Sequence, residues 1–488
     1  MYLITFLIKP RAEKYFYFIL GGCALTYFIV HIVVIKLLQF DPAWDLKAIY
    51  AGAIKWVETG TFDGLNGSNL HNDYFYIFPN NLGGMVFLAF IFKIANLLGL
   101  HNYFWIASIF NSFLICNTIV LASLIAKNIL GKKAGIVTLC CFMLMPAFYF
   151  MAPVFYTDSL SIIFPMLALY LFTLAKKTPK LWLEIIIYFS SALVCALGAL
   201  VKMPVLIVGI AICISLLCNK KFKKLLFYSI LLIVCCSAVM GTFNGYVYSK
   251  HLDKKIAREK EVSILYWVDL AFTGDGNYNG DIFSMASDTS IPPETRKDML
   301  KKDIKKKIKE LNLDGIIKLF ERKNAIIFGN GEMSLADFLD DSPKNSPKIH
   351  DFLLYNGKHY ETYKLICTGV FMGMILCMLF TIKKAFKNDV LFAMLLSVFG
   401  IALFLLFWET NCRYITTFIP FIVTCSGMGI HQLYNKLTPK KIKQIIVKAK
   451  NINQTKQQTP ANSTLKKELS NNEDKKLQSL PYITTKDS

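Results

Sequence analysis

No C-x-x-C pair occurs anywhere in the 488 residues, and the polar stretch 246–361 contains no cysteine. The first absence excludes a zinc ribbon, and the second leaves the largest polar region without a disulfide framework. The 13 cysteines lie mainly in apolar runs, at Cys140, Cys141, Cys235, Cys236 and Cys377, where a thiol packs as a small hydrophobe. No basic patch interleaved with aromatics is present, so the net charge of +21 does not point to nucleic acid. Nor is there an internal repeat. The first apolar run lacks a small-residue cleavage site and is followed by many more, which predicts an anchor and not a removed signal peptide.

What is abundant is apolar sequence in unbroken blocks: 55% of residues are hydrophobic and the mean hydropathy is +0.45. The blocks run to about 18–22 residues, the length that crosses a bilayer. The chain therefore reads as an all-α polytopic membrane protein with about ten transmembrane helices. Lys9, Arg11 and Lys14 precede the first block. Short loops between the blocks hold Lys127, Lys132 and Lys133, then Lys176, Lys177 and Lys180, then Lys220 to Lys224, then Lys383, Lys384 and Lys387. Lysine in short loops marks the cytoplasmic side. That assignment predicts crossings near 15–38, 103–126, 134–152, 159–175, 182–200, 203–218, 224–245, 364–382, 389–408 and 415–433. Segments 45–60 and 82–98 become two juxtamembrane helices on the outer surface.

The expected organisation is an N-terminal transmembrane module over 1–245 with a first outer loop at 39–81. A large extracytoplasmic segment follows over 246–362, then C-terminal transmembrane helices over 363–434. A basic, largely disordered cytoplasmic tail covers 435–488, its first part suited to anionic lipid. The Lys301–Lys309 run reads as a solvated helix face, and GDGNYNG at 274–280 as a turn.

Four separate turns bring polar side chains to one outer depth. They are Asp41 with Asp45, Tyr156 with Asp158, Lys202, and Glu409 with Arg413. Ionisable groups at the end of a membrane helix are costly unless they face water or a site. A carboxylate there can act as general base for an acceptor hydroxyl, and a lysine or arginine can neutralise a leaving phosphate. Each residue also has a plainer role. Asp45 can cap the helix that follows, Asp41 can start a turn at Pro42, and Asp158 can cap the helix after it. Lys202 can reach for headgroups, and Glu409 and Arg413 can pair across one helical turn. His71 reads as a loop residue, and Asn66-Gly67-Ser68 as a glycosylation sequon.

The run DLKAIYAGAIKWVETGTF, with Asp45, a tyrosine five residues on and Gly60 fifteen on, resembles the first outer loop of GT-C glycosyltransferases. So do KNILGKKAG, YTDSL around Asp158, and ETNCRY around Arg413. Within that superfamily the chain is most similar to the protein O-mannosyltransferase and aminoarabinose transferase group. DPAWD followed by YFYIFPNN is similar to its Gram-positive bacterial branch. The resemblance implies a GT-C-like fold and transfer of a sugar, with inversion, from a polyprenyl-phosphate-linked donor to an extracytoplasmic glycan, lipid or protein. It places Asp45 at the essential first-loop aspartate, although Leu46 stands where a second acid is usual, so Asp41 and Asp45 both remain candidates for the base. Lys202 and Arg413 are then expected to hold the donor phosphate, and Asp158, Tyr156 and Glu409 to orient the acceptor. No cofactor is demanded, and a divalent metal is left open. The expected membrane is the plasma membrane, with cytoplasmic termini and an extracytoplasmic site. Two other readings stay open: a lipid-linked glycan polymerase or ligase, and a lipid or polysaccharide transporter.

Overall fold

Hydropathy and length single out nine helices able to cross a membrane among the described residues, which in this computed structural model are 13–61, 73–339, 343–345 and 347–437. Taken with the shorter elements, the order is α1 (Phe16–Leu37), α2 (Trp44–Thr59), α3 (Pro79–Leu97), α4 (Tyr103–Leu130), α5 (Lys132–Met143) and α6 (Thr157–Ala175). Then come α7 (Leu181–Val201), α8 (Met203–Cys218), α9 (Phe222–Lys250), α10 (Pro293–Phe328), α11 (Tyr360–Ala385), α12 (Asp389–Leu406) and α13 (Cys412–Leu437). No strand forms among the described residues; a single bridge joins Phe40 and Pro343. The chain divides into two compact units, 1–432 and 433–488, and all of these helices belong to the first except the last residues of α13.

The lysine loops meet at one end. Lys177 donates to the Asn128 carbonyl at 3.1 Å, and Lys176 and Lys221 both pair with Asp389 at the start of α12. Lys133 reaches Glu13, before α1, at 3.2 Å. The α6–α7 and α4–α5 hairpins are the closest packed pairs there, joined by α7 on α9 and α8 on α12. Such loops can only share an end if α1, α4, residues 132–156, α6, α7, α8, α9, α11, α12 and α13 each run its length, ten traverses in all.

α3 is the exception, and the reason is visible at both its ends. Gly83 and Gly84 start it against Leu200 and Thr157, where a Cβ on either glycine would collide with its neighbour. The next helix begins at the same level, with Phe104 5.6 Å from both Phe40 and Phe155. α3 thus lies across the end opposite the lysines, packed on α2 and α4, although it is apolar and long enough to cross. α2 keeps the expected span and stops at Gly60, whose φ of 77° ends the helix in the left-handed region.

The expected crossing over 134–152 is not one helix. α5 ends at Met143, and Pro146, with no N–H to give, is followed by a short helix at Ala147–Phe150 and an irregular turn to Tyr156. Polar side chains from inside the bundle hold this turn. His31 of α1 bonds the Phe148 carbonyl and Ser112 Oγ, each at 2.8 Å. Asn111 of α4 donates to the carbonyls of Met151, Ala152 and Val154 at 3.0–3.1 Å.

The described residues among 251–359 form short helices around α10, which is broken at Asn312 (φ 50°). The GDGNYNG turn forms as expected, with Asn279 capping the next helix. All 13 cysteines are free thiols. Lys9, Arg11, His71, the Asn66 sequon and the basic tail beyond 437 lie outside the described residues.

Candidate functional site

At the end opposite the lysine loops, the four predicted turns converge. Asp45 sits in the first turn of α2, but Ala43 is the N-cap, so the carboxylate is not spent on capping amides. Trp44, beside it, holds φ at 47°, a left-handed conformation that costs a bulky residue about 1–2 kcal/mol. Strain of that kind persists only where surrounding structure fixes it. Tyr74 donates to Asp45 Oδ1 at 2.6 Å and Tyr156 donates to Oδ2 at 3.0 Å. Arg413 Nη2 stands 3.8 Å from Oδ2. Asn81 donates to the Tyr74 hydroxyl at 2.6 Å, which turns the phenol proton toward Asp45. Burial, with the Asp45 charge adding to it, pushes the Tyr74 phenol well above its ordinary range, so it stays a donor.

Lys202 and Asp158 form a buried ion pair beside this group. The side chain of Lys202 is 12% exposed, so it does not reach out to headgroups. Asp158 lies in the short helix Thr157–Leu160, whose N-cap is Tyr156, and it makes no capping bond there. Thr417 of α13 donates to the Asp158 carbonyl at 3.0 Å and lies 3.0 Å from Ser161 Oγ, which ties α6 to α13. Asp158 Oδ2 and Arg413 Nε are buried with no hydrogen-bond partner among the described residues, and both line one small cavity with Met151, Met333 and Phe338. Buried polar atoms of this kind are costly unless a partner supplies the missing bond.

Arg413 is placed by aromatic faces: its guanidinium carbon lies 5.0 Å from the Tyr156 ring centre, 5.5 Å from Tyr414 and 5.8 Å from Phe338. The expected helical pair between Glu409 and Arg413 does not form. Residues 409–411 precede a 3-10 turn, so the four-residue spacing no longer aligns them. Glu409 accepts from Tyr414 at 2.6 Å instead. Burial raises the Glu409 carboxyl above the ordinary range, against the opposing pull of the Tyr414 bond and of Arg413.

Asp41 is not brought in. α2 begins only at Trp44, so Asp41 lies before the helix; its largely exposed carboxylate pairs with Lys344 at 2.7 Å. Among the described residues, no group of three or more His, Cys, Asp or Glu side chains could hold a metal ion. Tyr74, Asn81, Tyr414 and Phe338 were not singled out in the sequence. The one signal for the first two was the YFYIFPNN pattern that closes the first loop.

Residues 3–433 match a family model described as conserved hypothetical integral membrane protein. The chain belongs to this family. It is a multi-pass membrane protein, as the helices require. No curated protein matches it. Among solved structures it is similar to the archaeal oligosaccharyltransferase AglB from Archaeoglobus fulgidus in complex with an inhibitory peptide and a dolichol-phosphate. The identity is 12%, the match covers 87% of this chain and 52% of that one, and the TM-score is 0.44. The apo form of an Archaeoglobus fulgidus oligosaccharyltransferase gives 11% identity, the same coverage and the same TM-score. The chain spans about half the length of these solved structures.

Proposed function

We propose that this protein is a GT-C-like membrane glycosyltransferase that moves a sugar from a polyprenyl-phosphate-linked donor to a hydroxyl-bearing acceptor. The observation that carries this reading is the juxtaposition, at one end of the bundle, of a tyrosine-held carboxylate, a guanidinium and a buried lysine–aspartate pair. In this reading Asp45 takes the acceptor hydroxyl proton. The acceptor oxygen forms its bond to the anomeric carbon from the face opposite the phosphate, which inverts that centre. The carbon–oxygen bond to the phosphate breaks, and its electron pair leaves with the phosphate. Arg413 and Lys202 balance that developing charge, Arg413 through two parallel donors. Asp158 keeps Lys202 in place until the phosphate competes for it. Glu409 and Tyr156 orient the acceptor and the base. Asp41, paired with Lys344, serves the loop and not the transfer.

The lysine-rich end is cytoplasmic in this reading, which puts the site on the extracytoplasmic face of the plasma membrane and both termini inside. The acceptor is then a wall glycan, a glycolipid or a protein. Charges gathered at one end, and not at mid-membrane, favour an enzyme over a transporter.

The test supplies membranes bearing wild type, Asp45→Asn or Asp41→Asn with radiolabelled polyprenyl-phosphate hexoses and follows label into the acceptor pool. Loss with Asp45→Asn but not with Asp41→Asn, at equal protein level, supports the assignment. Transfer that survives Asp45→Asn sinks it, and no transfer from any donor returns the question to transport.

A further inference from the structure

The break in α10 at Asn312 lies in a part of the chain that the proposed transfer does not use. The second half of α10 is pinned to the exit of one membrane-spanning helix and to the interior of another. The Lys323 ammonium donates to the Leu406 carbonyl at 2.9 Å and the Trp408 carbonyl at 2.7 Å, at the exit of α12. Phe320 meets Phe407 edge to face, 5.4 Å between ring centres. Just past the helix, Thr368 of α11 donates to the Gly329 carbonyl at 3.1 Å and accepts from the Gly331 amide at 3.2 Å. Thr368 lies more than two turns inside α11. These bonds hold the C-terminal end of α10 against the exit of α12 and against α11.

The first half of α10 is packed through Leu300 and Ile304 and through the Lys307–Asp269 pair, but around the break at Asn312 the helix bares apolar side chains. Leu313 is 74% exposed, Ile317, one turn on, is 49% exposed, and Ile308 across the break is 38% exposed. Beside them, Lys302, Lys305 and Lys309 stand on one face of the first half. The neighbouring acids are already taken: Asp298 by Lys301, Asp303 by Lys307, Glu310 by Lys306 and Asp314 by Lys318. Lys302, Lys305 and Lys309 have no ion pair among the described residues. Bare leucine and isoleucine next to unneutralised lysine is the composition of an element that sits in a headgroup layer. A solvated anionic polymer would satisfy the lysines but not the three aliphatic side chains.

We propose that the elbow of α10 is a membrane-surface contact, with Leu313, Ile317 and Ile308 in the boundary of the bilayer and Lys302, Lys305 and Lys309 on anionic lipid headgroups. Polybasic segments hold to such surfaces through the summed attraction of their lysines, which salt weakens. The contact is independent of the transfer chemistry and stands or falls without it.

Hydrogen exchange read by mass spectrometry tests it on the full chain in nanodiscs of phosphatidylcholine alone or mixed with phosphatidylglycerol. Amides of residues 305–318 are expected to exchange about tenfold slower in the anionic discs. Joint Lys302→Gln, Lys305→Gln and Lys309→Gln changes should erase that difference, and Leu313→Ser with Ile317→Ser should speed exchange in both discs. Equal exchange of the wild-type elbow in both discs overturns the proposal. Slowing by soluble polyphosphate as large as that by anionic discs would also overturn it, and would assign the lysines to a polymer instead.

Discussion

Tyr74 gives its hydroxyl proton to Asp45 at 2.6 Å while accepting one from Asn81 at the same distance, so a residue 29 positions away decides how the Asp45 carboxylate is oriented. The phenol is held protonated by burial and by Asp45 itself. If Asp45 is the base, its removal costs the whole proton-transfer contribution, about 10²–10⁴-fold in rate. Asp45→Asn should lower kcat by that order with little change in KM. Tyr74→Phe leaves the carboxylate but frees its rotation, and should cost about tenfold, the worth of one hydrogen bond to a charged group. Single-turnover transfer measurements on purified protein separate the two. Equal losses for both variants would sink the assignment of Asp45 as the base.

Much of this arrangement was legible in the chain. Helix parity alone carries Asp45, Tyr156, Asp158, Lys202, Glu409 and Arg413 to one end, because lysine loops separate them at the other. Pairing within the group was not legible. Asp41 and Asp45 are four residues apart, yet the helix starts between them and sends them to different partners. Tyr74 lies in a four-residue helix, too short to show a periodic face. Glu409 and Arg413 have helical spacing but stand at a loop and a 3-10 turn, where that spacing means nothing. The break after α5 was marked by Pro146 all along, but hydropathy averages over a single proline.

Lys202 and Asp158 answer each other inside the protein, and breaking one partner leaves the other charge buried. Lys202→Met should therefore cost stability, about 3–5 kcal/mol for an uncompensated buried charge. The double change Lys202→Met with Asp158→Asn should recover most of that stability without recovering transfer. Thermal unfolding of the detergent-solubilised protein, set against the transfer assay, gives both values. If the double variant is no more stable than Lys202→Met, the pair is not what holds this corner together.

Glu409 carries the pH dependence. Its carboxyl is raised by burial, so it takes up a proton at a higher pH than an exposed glutamate does. As Glu409 takes up its proton, the Tyr414 hydroxyl no longer meets an ionised acceptor. Transfer by wild type should decline on the acid side at a pH above the ordinary glutamate range. Glu409→Gln should show lower activity that no longer follows that decline. A profile identical in shape for both proteins would remove Glu409 from the active arrangement.

Lys323 fixes the turn that carries Glu409 and Arg413, because its ammonium caps the carbonyls of Leu406 and Trp408 and also faces Ala271. Thr410 closes the same joint by donating to the Gly276 carbonyl at 2.7 Å, and Trp267 stacks on Trp408 with ring centres 5.4 Å apart. Burial lowers the Lys323 ammonium to about 8, opposed by the charge of Glu409. In the unfolded chain a lysine titrates near pH 10.4, so between about 8 and 10.4 the unfolded state binds the extra proton and stability rises with pH. Below about 8 that gain is absent. Lys323→Met should leave the turn uncapped and remove this rise. The comparison to make is the slope of unfolding temperature against pH for wild type and variant over pH 7–10, with the other titrating groups common to both. Transfer by Lys323→Met should fall mainly in kcat, since the residue positions Glu409 and Arg413 without touching substrate. Parallel slopes with unchanged kcat would show that the turn is held by Thr410 and Trp408 alone.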